Sequence, residues 1–303
     1  MSAVGAAPGQ RILVLGAGAI GGLIAAKLSA RDDNEVALAV RRPVPRLSFT
    51  FEGRETEPPV RILTTPGDLD GAVDWVVVAT KVYDTAGLTS WFEAPACSGA
   101  KVVVAQNGIE HVARLGAFVE PGRVLPMLVT YGAARSAPGA VIETLNGTTR
   151  IPAGGLAEGF AAVARGTGLE VELVDDFATA LWTKLTWNLV GNSLTTIADV
   201  PVREIARRRG LRVLTELLVD ECRVVANSEG AQVDEAIAAE ILSAFEGYPE
   251  TVRSSMWQDR DAGRPFEHDA ISGAVVRAAE RAGLDAPYSR MVTELLDSLS
   301  PGR

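Results

Sequence analysis

The apolar positions change their period once along the chain. In the first half they fall in short unbroken runs, RILVL at 11–15, EVALAV at 35–40, WVVVA at 75–79 and KVVVA at 101–105. Runs of this length, bounded by glycine or polar turns, predict strands buried on both faces of a parallel sheet. Stretches 19–30, 84–92 and 110–118 between them predict helices, and the alternation predicts βαβ units. Further strands are expected near 123–130, 140–144 and 170–174, with a helix around 156–166. Beyond about residue 175 the pattern is helical, over 176–198, 209–229, 232–245, 266–283 and 287–299. Polar breaks stand at Asp199-Val200-Pro201, at Gly230 and at Gly263-Arg264-Pro265, and no strand-like run interrupts the helices. The chain of 303 residues thus reads as an α/β domain over 1–175 and an all-helical domain over 176–303.

Composition narrows the chemistry. With 47% apolar and 22% charged residues the chain has enough material for a core without disulfide or metal staples. The balance of 29 basic against 38 acidic residues, net −9, argues against nucleic acid or an anionic membrane as partner. Cys97 and Cys222 form no CxxC, and His111 and His268 are the only histidines, so no metal site is expected. No apolar run reaches the roughly 18 residues of a membrane span. The opening MSAVGAAPGQR lacks the pattern of a signal peptide, so a soluble, cytoplasmic protein is expected, with residues 1–10 frayed.

Gly16-Ala17-Gly18-Ala19-Ile20-Gly21 lies between the first strand and the first helix, the context in which GxGxxG marks a dinucleotide-binding turn. Gly16 permits the tight turn, Gly18 the approach of a pyrophosphate, and Gly21 close helix–strand packing. The free N–H groups of the helix start, at Ala19 and Ile20, complete the cradle. A ligand-free glycine turn is the plainer alternative. Sites for NAD carry an acidic residue about 20 positions on. Here Val40-Arg41-Arg42-Pro43 ends the second strand instead. Arg41 suits a 2′-phosphate, and Lys81, just past WVVVA, offers a second positive charge. Against ordinary solvated surface, this favours NADPH.

The stretch LWTKLTWNLVGN at 181–192 sets Lys184, Asn188 and Asn192 on one stripe of an otherwise apolar helix. Such groups need partners or a polar cleft. A lysine against an apolar wall has a lowered pKa and can deliver a proton near neutrality. The alternative is a snorkelling lysine beside structural asparagines. Farther on, Ser254-Ser255-Met256-Trp257-Gln258-Asp259 precedes Gly263-Arg264-Pro265. Pro265 fits a helix opening, which would put Glu267 in the first turn, heading an apolar face with Ile271. Simple capping is the competing reading for Ser254 and Ser255, and dipole complementation for Glu267.

Taken in order, GAGAIGG at 16–22, TKVYDT at 80–85, QNGIE at 106–110, LWTKLTWNLVGN at 181–192 and SSMWQD…GRPFEHDAISG at 254–273 resemble the ketopantoate reductase (2-dehydropantoate 2-reductase) family. The resemblance implies a Rossmann-type dinucleotide-binding domain followed by a helical domain like the C-terminal domain of 6-phosphogluconate dehydrogenase. It implies NADPH-dependent reduction of 2-dehydropantoate to pantoate, in pantothenate and coenzyme A biosynthesis. By the same resemblance Lys184 is the general acid, Asn107 lies near the nicotinamide and the reacting centre, and Asn188 and Asn192 bond the substrate. Ser255 would contact the substrate carboxylate and Glu267 its terminal hydroxyl. Gly16, Gly18 and Gly21 would line the cofactor loop, with Arg41 and Lys81 at the 2′-phosphate. The implied partner is a small 2-keto acid, with a homodimer allowed. Competing functions are reduction of a different 2-keto acid, a β-hydroxyacid dehydrogenase, and a non-catalytic NADPH-binding regulator.

Overall fold

The structure, a computed structural model, describes residues 9–302, so most of the segment expected to fray lies outside the described residues. Eight strands open the fold: β1 (Arg11–Leu15), β2 (Glu35–Ala39), β3 (Ser48–Phe51), β4 (Arg54–Thr56), β5 (Val60–Leu63), β6 (Trp75–Val78), β7 (Lys101–Val104) and β8 (Val124–Pro126). Five more follow, β9 (Leu128–Val129), β10 (Gly132–Ala137), β11 (Ala140–Leu145), β12 (Thr149–Pro152) and β13 (Val171–Val174). The helices are α1 (Ala19–Leu28), α2 (Thr89–Phe92), α3 (His111–Leu115), α4 (Gly155–Ala164), α5 (Phe177–Ala198) and α6 (Arg203–Arg207). They continue with α7 (Arg209–Ser228), α8 (Ile237–Glu246), α9 (Ser255–Asp261), α10 (His268–Ala282) and α11 (Pro287–Leu299).

Two compact units result. The first runs to Gln106 and resumes over His111–Phe177; the second takes Asn107–Glu110 and continues from Ala178. In the first unit the main sheet has the order β5-β2-β1-β6-β7-β8, and every neighbouring pair is parallel. The chain runs outward from β1 to β5, then crosses to β6 and outward again. Ligands in such sheets bind where that order reverses, beyond the carboxyl ends of β1 and β6. The runs Val76–Val78 and Val102–Val104 are buried, as continuous apolar strands should be.

Sheets β10-β11-β3-β4 and β13-β12-β9 are smaller. The sequence pattern missed β3, β4 and β10 because short strands with no buried position, such as SFTF, RET and GAARSA, carry no clear apolar period. It missed β5 because Arg61 interrupts VRIL. The helix expected near 84–92 is a 3₁₀ segment over Val82–Leu88 that passes into α2, with Thr85 Oγ1 bonded back to Val82 O at 2.7 Å. The helix expected over 110–118 stops at Leu115, before Gly116. Helix α1 is buried from Gly21 to Leu28, yet it carries Lys27. Lys27 Nζ lies 2.9 Å from Glu143 Oε2 and 4.8 Å from the centre of the Tyr131 ring, so its charge is paired inside the fold.

The second unit packs α5, α6, α7, α8, α10 and α11 around one core that includes Leu185, Leu189, Val219, Ile241, Val275 and Leu296. Polar contacts also join its helices: Thr186 Oγ1, bonded to Trp182 O at 2.9 Å, lies 3.4 Å from Cys222 Sγ, and Glu221 accepts from the Tyr288 and Ser289 amides at the start of α11. Helix α8 begins at Ile237 rather than near 232, because Asp234 Oδ1 accepts from the Ala236 amide in a turn ahead of it. Helix α10 ends at Gly283, whose φ of +68° closes the last turn. Among the described residues no helix is long and apolar enough to cross a membrane.

Candidate active site

The glycine turn is built for close approach. Gly16 has φ +113°, and a Cβ there would stand 2.7 Å from the Thr80 amide nitrogen. A Cβ on Gly21 would stand 1.8 Å from Gly16 O, so only glycine lets α1 start this close to β1. Gly18 is different, since a Cβ there would meet nothing within 4 Å. That open side lies at the start of α1, where Gly18 is the N-cap and no side chain caps the helix. Ala19 and Ile20 begin the helix, and its first amides carry the positive end of the dipole. These features fit the diphosphate of a dinucleotide.

Arg41 follows β2 and is 85% exposed, with its guanidinium 3.2 Å from the carboxylate of Asp84. An exposed pair of this kind is worth at most about 1 kcal/mol, so Arg41 can exchange Asp84 for a stronger anion. Lys81 stands at the N-cap position of the 3₁₀ segment that follows β6, on the same carboxyl side of the sheet. One residue of this region had no role in the sequence reading. Gln106 is buried at the end of β7, and its Nε2 lies 3.0 Å from both Thr80 O and Thr85 Oγ1. It ties the turn after β7 to the turn after β6. The available signal was a buried-type glutamine directly after an apolar strand.

In the helical unit α5 presents Lys184, Asn188 and Asn192 at four-residue steps. Burial lowers the Lys184 pKa from 10.5 to about 8, while the negative charge of Glu267 pulls in the opposite direction. Glu267 is not in the first turn of α10, as the proline spacing suggested. It is the N-cap, with φ −91° and ψ 25°, because the helix begins only at His268. Its carboxylate makes no capping bond; Oε2 instead accepts from Asn107 Nδ2 at 3.1 Å. Asn107 Oδ1 is in turn 3.5 Å from Asn188 Nδ2. Lys184, Glu267, Asn107 and Asn188 therefore form one polar group.

Asn192 and Ser255 form a second group. Asn192 is buried, and its Oδ1 accepts from Ser255 Oγ at 3.1 Å and from the Met256 amide at 3.2 Å. Ser254 caps α9, accepting from the Trp257 amide at 3.1 Å, and its hydroxyl lies 2.6 Å from Thr195 Oγ1. Asn192 and Thr195 thus seat the start of α9 on α5. No group of His, Cys, Asp and Glu suited to a metal ion occurs among the described residues. A lysine that ionises near neutrality beside a carboxylate and two carboxamides can protonate an oxygen that is gaining negative charge.

Comparison with known proteins agrees over nearly the whole chain. Residues 12–155 match the family described as ketopantoate reductase PanE/ApbA, and residues 176–300 match its C-terminal domain. A 2-dehydropantoate 2-reductase of Caulobacter vibrioides is 35% identical over 288 residues, covering 95% of this chain and 98% of that protein. The crystal structure of a 2-dehydropantoate 2-reductase from Geobacter metallireducens superposes with a TM-score of 0.85 at 26% identity, covering 96% of this chain and 100% of the other. A ternary structure of D-mandelate dehydrogenase with NADH and anilino(oxo)acetate superposes with a TM-score of 0.82 at 26% identity, covering 95% and 98%. The family and the parallel sheet with its glycine turn together imply a nicotinamide dinucleotide cofactor. On this combined sequence and structural likeness, the chain belongs to the ketopantoate reductase family.

Proposed function

We propose that the chain catalyses the NADPH-dependent reduction of 2-dehydropantoate to pantoate. The observation that carries the reading is Lys184, its pKa lowered to about 8, grouped with Glu267, Asn107 and Asn188 in a chain with full-length likeness to 2-dehydropantoate 2-reductases. A reduced nicotinamide cofactor, when bound, would supply the hydride for the keto carbon. Lys184 donates its ammonium proton to the carbonyl oxygen as that oxygen becomes an alcohol. Asn107 and Asn188 orient the reacting groups, and Asn192 acts with them, chiefly through its hold on Ser255. Ser255 meets the substrate carboxylate, and Glu267 accepts from the terminal hydroxyl. Gly16, Gly18, Ala19, Ile20 and Gly21 hold the diphosphate, and Arg41 and Lys81 hold the 2′-phosphate.

Initial rates of NADPH and NADH oxidation with 2-dehydropantoate test the reading. Efficient turnover that prefers NADPH is expected; no turnover of 2-dehydropantoate with either cofactor overturns it. Reduction of a different 2-keto acid is the second reading, favoured by the likeness to D-mandelate dehydrogenase, and a panel of 2-keto acids in the same assay separates the two. The compartment we propose is the cytoplasm. The further partner is a second copy of the chain, supported by Tyr288, Met291, Leu295 and Leu299, which stand exposed along one face of α11. Sedimentation as a monomer at micromolar concentration would remove that partner.

A further inference from the structure

Asn107 sits in a segment that no helix or strand holds. Residues 107–110 lie between β7 and α3, and Gly108 has φ +97°. The segment instead runs along α10, meeting it at successive points. Asn107 bonds Glu267 at the head of the helix. Gly108 packs so tightly that a Cβ would stand 2.6 Å from Ala270 O. Ile109 packs against the helical core. Glu110 then meets Arg277 through both carboxylate oxygens, at 3.0 Å to Nε and 2.7 Å to Nη2. The remaining arm of the guanidinium, Nη1, reaches Asp269 Oδ1 at 2.6 Å, so the fork is fixed from both sides. Glu267 and Arg277 are about 15 Å apart along the axis at ~1.5 Å per residue, so one rigid helix spaces both attachments.

We infer that the Glu110–Arg277 pair is a positioning device that holds the Asn107 carboxamide between Glu267 and Asn188. The inference rests on the proposed reaction and goes beyond it, since neither residue belongs to the polar group around Lys184. Asn107 uses both ends of its amide at once, and its 3.5 Å contact to Asn188 is at the limit of a hydrogen bond. A small slide of the segment along α10 breaks that contact. The bidentate fork resists the slide in a way a single-point ammonium does not.

The test is Arg277→Lys, which keeps the charge and loses the fork, with Glu110→Gln as a second variant of unchanged shape. Each should lower kcat about tenfold or more, as misplacement by a fraction of an ångström does, while NADPH affinity and melting temperature hold. In an Asn107→Ala background, Arg277→Lys should cost nothing further, because its effect passes through Asn107. Losses that simply multiply would overturn the inference. The side-chain amide resonances of Asn107, followed by ¹⁵N NMR, should shift in both Arg277→Lys and Glu110→Gln; unmoved resonances also overturn it. If the unaltered protein does not reduce 2-dehydropantoate, the proposed function fails, and the Asn107 resonances still decide the positioning role.

Discussion

Replacing Glu267 with glutamine removes a charge and keeps a shape. Glutamine Oε1 can still accept from Asn107 Nδ2, so the polar group around Lys184 is preserved. What changes is the field at Lys184. Burial drives its pKa down to about 8, and the Glu267 charge is the force working against burial. Without that charge the pKa falls further. An opposite charge at close range typically shifts a pKa by about 1–3 units, or roughly 1.4 kcal/mol per unit. At the low end Lys184 would titrate near 7. With Lys184 as the proposed proton donor, reduction would need the ammonium form, so kcat/KM for the keto acid should be level at low pH and fall as pH rises through the lysine pKa. That descending limb should lie near 8 in the unaltered enzyme and about one unit lower in Glu267→Gln. At pH 7.5 the protonated fraction would drop from about three-quarters to about one-quarter, a loss of about threefold from ionisation alone. The assay is the initial rate of NADPH oxidation across pH at constant ionic strength. Any loss of substrate contact lowers the height of the profile but leaves the position of its limb. A limb that stays put or moves upward refutes the coupling between Glu267 and Lys184.

Lys184→Ala should lower kcat by about 10²–10⁴ while leaving cofactor binding, read by fluorescence titration, intact. Arg41→Asp should remove an NADPH preference of about tenfold or more, roughly 1.4 kcal/mol, in kcat/KM measured with both cofactors. The unaltered enzyme should favour 2-dehydropantoate over 2-ketoisovalerate, which lacks the hydroxymethyl group, by about 10² or more, and Glu267→Ala should compress that ratio. Glu143→Ala strands the buried Lys27 charge and should cost about 3–5 kcal/mol in denaturant unfolding. The double variant Lys27→Met with Glu143→Leu should recover most of that loss, and failure to recover it would show that the pair itself is stabilising.

Elements long enough to show a period were legible from sequence, and those built on single residues were not. The short, β-branched valine runs of β6 and β7 favour buried strands, and α5 announces its polar stripe by four-residue spacing. The start of α10 lies two residues past the expected 266, because Pro265 is a good helix opener yet the helix begins only at His268. The misjudged residue is Glu267, whose carboxylate bonds Asn107 rather than the amides of its own helix. Its hydrogen bond comes from a residue 160 positions earlier, and no local pattern encodes that pairing. The same holds for Glu110 and Arg277, separated by 167 positions, which look in sequence like ordinary surface charges on two unrelated segments. Periodicity reports the face that a residue shares with its neighbours, whereas the Lys184 group depends on which faces meet. The carboxylate that tunes the lysine and the pair that seats its amide neighbour are therefore properties of the packed helical unit, and they vanish when its helices are considered one at a time.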